Sequence, residues 1–166
     1  MAEETVWSGS SSQWKNFGRY VFCALLGAVI VAIFLIASSM SPLELRRFSP
    51  IILLFLAAPI FMALSRYLQT KNKRYELTTE RLKTTQGVFS KATETLELYR
   101  VKDLETRQPF VYRLFGLENV ELHTSDASSP TVLIEAVPAR LALADKTRNQ
   151  VEVVRAQKGV REIDVE

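Results

Sequence analysis

Cysteine, histidine and the signatures of catalysis are nearly absent from this 166-residue chain. The single cysteine, Cys23, excludes an intrachain disulfide and says little about redox compartment. The single histidine, His123, has no second His or Cys with which to hold a metal. It alternates with Leu122, which turns it toward solvent. The chain has no Gly-x-Ser-x-Gly elbow, Walker loop, dinucleotide fingerprint or His-Glu-x-x-His helix. Asp103 and Glu105 lie two apart on one strand face with no evident cleft, where balancing by nearby Arg is a simpler role than acid/base work. The composition therefore predicts no enzyme, no metal and no cofactor.

Charge is missing from two stretches, Tyr20 to Ser41 and Phe48 to Ser65. A helix rises about 1.5 Å per residue, so roughly 20 apolar residues cross a hydrocarbon core of about 30 Å. Both runs reach that length, and the polar break from Pro42 to Arg47 is short enough to send the second helix back beside the first. The pattern predicts a transmembrane hairpin over 19–68, with spans at about 20–40 and 48–65. A cleaved signal peptide fits less well, because the first run is too long, no Ala-x-Ala site closes it, and a second span follows at once. Lys, Asp and His are absent between Tyr20 and Ser65, so the spans lack the intramembrane charge that marks ion or proton paths. Ala24, Gly27, Ala28 and Ala32 form a candidate small-residue packing face, although such residues are common in any span. Pro59 predicts a kink without a function.

The basic pI of about 9.1 belongs to the hairpin's flanks. Residues 1–74 carry eight Lys/Arg against three acids, whereas 75–166 carry 13 against 15. That is a topology signal rather than a nucleic-acid footprint. Arg46 and Arg47 lie between the spans, while Lys15, Arg19, Arg66, Lys71, Lys73 and Arg74 lie at the two ends. The positive-inside rule then places both termini in the cytoplasm, in a multi-pass membrane protein. Trp14, Tyr20 and Tyr67 fall where interfacial rings belong.

After the hairpin the hydrophobic period changes to two. Tyr75 and Leu77, Leu82, Leu96 and Leu98, Val101 to Gln108, Val120 and Leu122, and Thr131 to Val137 read as short strands. Turns at Thr79-Glu80, Gly87 and Ser125 to Pro130 separate them. Beyond Pro138 the period shifts toward 3.6, with Leu141, Ala144, Val151 and Val154 on one stripe. This predicts a closing helix with Pro138 near its start. The expected organisation is a flexible cytoplasmic N-terminus over 1–18, the hairpin, a small α+β domain over 74–157 and a charged tail over 158–166. The fold class is a bent antiparallel β-sandwich or barrel with one C-terminal helix.

Several strings carry a family likeness: Arg74 to Leu82 (RYELTTERL), Gly87 closing a strand, Leu98 to Pro109 (LYRVKDLETRQP), and Arg113 to Val120 (RLFGLENV). With a two-span hairpin directly ahead, the chain resembles the bacterial membrane-anchored PH-like domain family over roughly residues 14–150. Glu118 stands where that family often has a second glycine. The resemblance implies a PH-like fold at the cytoplasmic face and a role in protein–protein interaction or assembly. The partner would be a copy of itself or a larger membrane complex that uses it as an accessory subunit. A rival reading is an anionic-lipid-binding or envelope-stress module, with headgroup contacts from Arg66, Lys71, Lys73 and Arg74. Arg81, Arg107 and Arg113 are candidate structural or partner contacts, with Arg107 or Arg113 a candidate to pair with Asp103 or Glu105, and Gly116 is a candidate for positive φ.

Overall fold

The computed structural model describes residues 3–40, 42–127 and 129–159. By internal contact the chain divides into two units, one of residues 1–15 with 69–166 and one of residues 16–68. The first unit contains seven strands in two antiparallel sheets. β1 (Thr5–Ser10), β2 (Arg74–Thr78), β3 (Arg81–Gln86) and β4 (Ala92–Glu97) form one sheet in sequence order. β5 (Val101–Arg107), β6 (Leu117–Thr124) and β7 (Thr131–Pro138) form the other.

Period-two patterning builds this core. β2 buries Tyr75 and Leu77, β3 buries Leu82, and β6 buries Leu117, Val120 and Leu122. Leu96, Leu98, Val101, Ile134 and Val137 complete the space between the sheets. Each fully buried aliphatic side chain contributes about 1.5–3 kcal/mol. A 3-10 turn at Leu98–Arg100, where the pattern predicts strand, carries the chain from one sheet to the other. The β2–β3 turn is held by Thr78, whose hydroxyl accepts the Arg81 N–H at 2.9 Å. The β3–β4 turn depends on Gly87, whose φ of 122° and close approach to the Ser90 carbonyl exclude a side chain.

The N-terminus departs most from expectation. The Ser-rich composition predicts a flexible start over 1–18, yet Thr5–Ser10 is a strand paired with β2 from Thr5↔Thr78 to Ser10↔Arg74. Trp7 packs against the core from this strand. Residues 16–68 are thus an insertion between two neighbouring strands rather than a segment ahead of the domain.

The second unit is helical. α1 (Phe17–Met40) follows a 3-10 turn at Gln13–Asn16, and α2 (Pro42–Lys71) follows it. The predicted polar connector Pro42 to Arg47 is instead the first part of α2, with Pro42 as its first residue, where a missing N–H costs nothing. Cys23, Gly27, Ile30 and Phe34 recur at helical spacing as the less exposed positions of α1, while most of its other described apolar side chains are exposed. Ala24, Gly27 and Val31 face Leu56, Pro59, Ile60 and Ala63 across an apolar cleft of about 380 Å³. Among the described residues, one helix, Gln13–Ala37, is long and apolar enough to cross a membrane.

Two further elements bear on the site. A short helix, α3 (Phe110–Leu114), interrupts the β5–β6 connection and ends at Gly116, whose φ of 62° matches expectation. α4 (Leu143–Lys158) buries Leu143, Thr147, Val151 and Val154 against the core. Pro138 is the last residue of β7, opposite Leu117, so the helix starts five residues later than its proline suggests. Lys158 still belongs to α4, and the remainder of the expected tail, from 160, lies outside the described residues.

β7 also carries a bulge. Glu118 pairs with Val137 and Val120 with Ile134, leaving Glu135 and Ala136 opposite Asn119 alone. Ala136 takes φ 52°, and its N–H is capped by Asn119 Oδ1 at 2.8 Å. The extra residue reverses the side-chain alternation, so Ile134 and Val137 both reach the core. Asn119→Ala leaves a buried N–H without its acceptor and is expected to cost about 1–3 kcal/mol, read as a lowered thermal midpoint in detergent. A midpoint equal to that of the parent protein would show the cap to be dispensable.

Candidate functional site

The bulge places Glu135 where the chain leaves the sheets for residues 16–68 and where it returns. Lys15 Nζ lies 2.9 Å and Lys73 Nζ 3.0 Å from the same Glu135 oxygen. The three side chains are only 17%, 19% and 29% exposed, respectively. Tyr75, fully buried, completes the cluster. Its hydroxyl accepts the Glu135 N–H at 3.1 Å, lies 3.4 Å from the Leu133 carbonyl and shares a 3.3 Å hydrogen bond with Ser11. Lys73 also sits 5.4 Å from the centre of the Tyr75 ring, within cation–π range. The Ser12 N–H donates to the Ala136 carbonyl at 2.9 Å, turned outward by the bulge.

Electrostatics follow from this geometry. Burial alone pushes the Glu135 carboxyl up, but hydrogen bonds and charge from Lys15 and Lys73 outweigh it and hold the group below its ordinary value. Burial likewise opposes the Lys73 charge, yet the Tyr75 oxygen and Glu135 raise its pKa overall. Tyr112 on α3 is raised by burial and then by the negative potential of Glu135 and Tyr75. Next to this cluster Trp14 stacks on Phe115, with ring centres 3.7 Å apart and planes 17° from parallel. Chemically this is a clamp: a satisfied ion triad that ties both ends of the inserted segment to β7. Among the described residues no group of His, Cys, Asp and Glu is arranged to hold a metal.

The residues singled out from the sequence fall in separate places. Lys73 is a member of the clamp. Arg74 is exposed at the start of β2, between Ser10 and Thr85. Arg66 is exposed on α2 and Lys71 is its last residue. Arg81 bonds Glu97 at 2.9 Å, with Glu3 at 3.8 Å. Arg107 bonds both oxygens of Glu105, at 2.7 and 2.9 Å, and approaches Glu121. Arg113 is exposed on α3. Arg81, Arg107 and Arg113 therefore do not converge. His123 lies 3.9 Å from Glu105 at the surface of β6. Glu118 is buried, accepts a 3.4 Å hydrogen bond from Gln108, and is raised chiefly by burial. The sequence reading passed over Glu135. The available signal was a lone carboxylate inside the apolar run Thr131 to Val137, since a buried charge requires a partner.

A family profile described as Bacterial PH domain matches residues 20–157. The match begins downstream of β1. Among solved structures, the Vps36 N-terminal PH domain aligns at 19% identity with a TM-score of 0.39, covering 54% of this chain and 68% of that one. No curated protein matches the chain. With more than half its length matched by that profile, the chain belongs to the bacterial PH domain family.

Proposed function

We propose that this chain is a non-enzymatic interaction or assembly module, held at the cytoplasmic face of the bacterial inner membrane by its inserted helical hairpin. In that role it acts as an accessory subunit of a membrane complex or pairs with copies of itself. The observation that carries the reading is the pairing of β1 with β2. The strand before the apolar segment and the strand after it share one sheet, so the segment leaves and rejoins the same folded unit. Any crossing of a bilayer must then occur an even number of times. Water exposure of α1 is the alternative, and an apolar window only 6% buried argues against it. α1 and the 48–65 part of α2 supply the two crossings, and the six Lys/Arg at the segment's ends set the cytoplasmic side.

A free sheet edge or the groove beside α4 would receive a partner strand or helix. The rival lipid-headgroup reading, through Arg66, Lys71, Lys73 and Arg74, loses one of its four charges because Lys73 is engaged by Glu135.

Single-cysteine variants on a Cys23→Ala background test the topology with a membrane-impermeant maleimide. Cysteine at Glu44 is expected to react in intact cells, whereas cysteines at Ser8 and Ser125 react only after the membrane is opened. Reaction of Ser8 and Ser125 from opposite sides, or of both from outside, overturns the anchor. Mass measurement after gentle extraction tests the role: a co-purifying second subunit or a self-pair is expected, and a solitary monomer overturns it.

A further inference from the structure

Two solvent-exposed apolar tips lie at the end of the first unit where the hairpin attaches. The first is the β3–β4 turn. Ser10, Arg74, Thr85 and Thr93 stand level across the sheet, and Gln86↔Ala92 is the last pair beyond them. Residues 87–91 therefore project past the strand ends from which the chain departs for α1 and to which it returns. Phe89 sits on this turn with its whole side chain exposed (104%), and Lys91 is exposed beside it. The second tip is α3. Phe110 and Leu114, four apart and so on one helix face, are 82% and 72% exposed, with Arg113 exposed next to them. The Trp14–Phe115 stack ties this helix to the residue just before Lys15, and Tyr112 feels the charge of Glu135. Trp14 is itself 43% exposed.

Large apolar side chains left bare in water carry a hydrophobic cost of about 1.5–3 kcal/mol each relative to burial. Here each bare tip is paired with a base. That combination matches a bilayer interface, where rings and aliphatic chains enter the headgroup–acyl boundary and Lys or Arg remains at phosphate level. We propose that α3 and the β3–β4 turn form an interfacial footprint on the bilayer. Phe110, Leu114 and Phe89 insert shallowly, Arg113 and Lys91 meet the lipid phosphates, and Trp14 marks the same depth. The proposal rests on the membrane reading above and adds that the folded unit is seated on the lipid rather than hanging freely from its tether. A seat of this kind fixes which edges of the sheets face the cytoplasm and so remain open to a partner.

Nitroxide labels on the full-length chain, in nanodiscs of mixed neutral and anionic phospholipid, test this. On the Cys23→Ala background, cysteines replace Phe110, Leu114, Phe89, Val29 in α1, and Glu80 in the β2–β3 turn at the opposite end of the first sheet. Labels at 110, 114 and 89 are expected to relax with oxygen more than with a water-soluble nickel chelate, as at 29, and the label at 80 is expected to do the reverse. Nickel access at 110 and 114 with lipid access at 29 overturns the footprint while leaving the anchor standing. Nickel access at 29 removes the anchor and the footprint together. Shielding of 110 and 114 from both reagents overturns the lipid assignment in favour of a protein cover. Nickel access at 89 alone removes the turn from the footprint and leaves α3.

Discussion

Deleting residues 3–11 is expected to abolish the cooperative thermal transition of the purified protein, although the deleted stretch reads as a disposable polar tail. The deletion strips β2 of its partner over the register Thr5↔Thr78 to Ser10↔Arg74. It removes Trp7 from the core margin and Ser11 from the Tyr75 hydroxyl. Loss of the Trp7 packing alone costs about 2 kcal/mol. With a newly bared edge of β2 and one fewer strand covering Tyr75 and Leu77, the total is on the order of 5 kcal/mol or more. That is comparable to the whole stability margin of a small domain. Circular dichroism in mild detergent would show the change, with helical signal persisting and the near-ultraviolet signal of the aromatic core lost. A truncated protein melting within a few degrees of the parent would mean that β1 adds nothing to the fold.

Glu135→Ala is expected to cost about 2–4 kcal/mol, because it leaves two largely buried ammonium groups facing each other. For a domain of this size that lowers the melting midpoint by roughly 10 °C or more. Adding Lys73→Met relieves the unpaired charge and is expected to recover part of the loss, whereas a cavity effect alone would not respond. The pH dependence follows the same group. The folded-state pKa of Glu135 is depressed, so its contribution is complete above the ordinary carboxyl value of 4.5 and disappears as pH falls through the depressed one. Lys73 behaves in mirror image: its raised pKa keeps its contribution intact below 10.5, with loss only as pH climbs through the higher folded value. Parent protein should therefore lose stability faster than Glu135→Ala below about pH 4.5. Parallel acid profiles would remove Glu135 from the account.

Strands β2, β3 and β6 were legible because each alternates over enough residues to show which face is inward. Tyr75 and Leu77 on β2 and Val120 and Leu122 on β6 are the clearest cases. β1 was not legible. Val6 and Trp7 give its six residues too little pattern, Gly9 and two serines imitate a linker, and its partner lies beyond both α1 and α2 in sequence. α3 is five residues long, below the length at which a 3.6 period can be recognised, so the sequence pattern predicts no helix over Phe110 to Leu114. The clamp escaped for a different reason. Lys15 and Lys73 carry a topological signal that accounts for them fully, and the bulge that aims Glu135 toward them leaves no trace in the run Thr131 to Val137. Its determinant is Asn119 on the facing strand.

Placing the apolar segment inside a sheet makes biosynthesis conditional. β1 is synthesised first, yet its partner appears only after more than sixty further residues, once both helices have emerged. On the membrane reading, a nascent polypeptide that threads just one helix strands the early ribbon on the wrong side of the lipid, and the fold cannot close. On that same reading the architecture proofreads its own insertion: only molecules that return to the starting compartment would acquire a finished domain, and the rest would stay recognisable as unfolded to any protease that surveys the membrane.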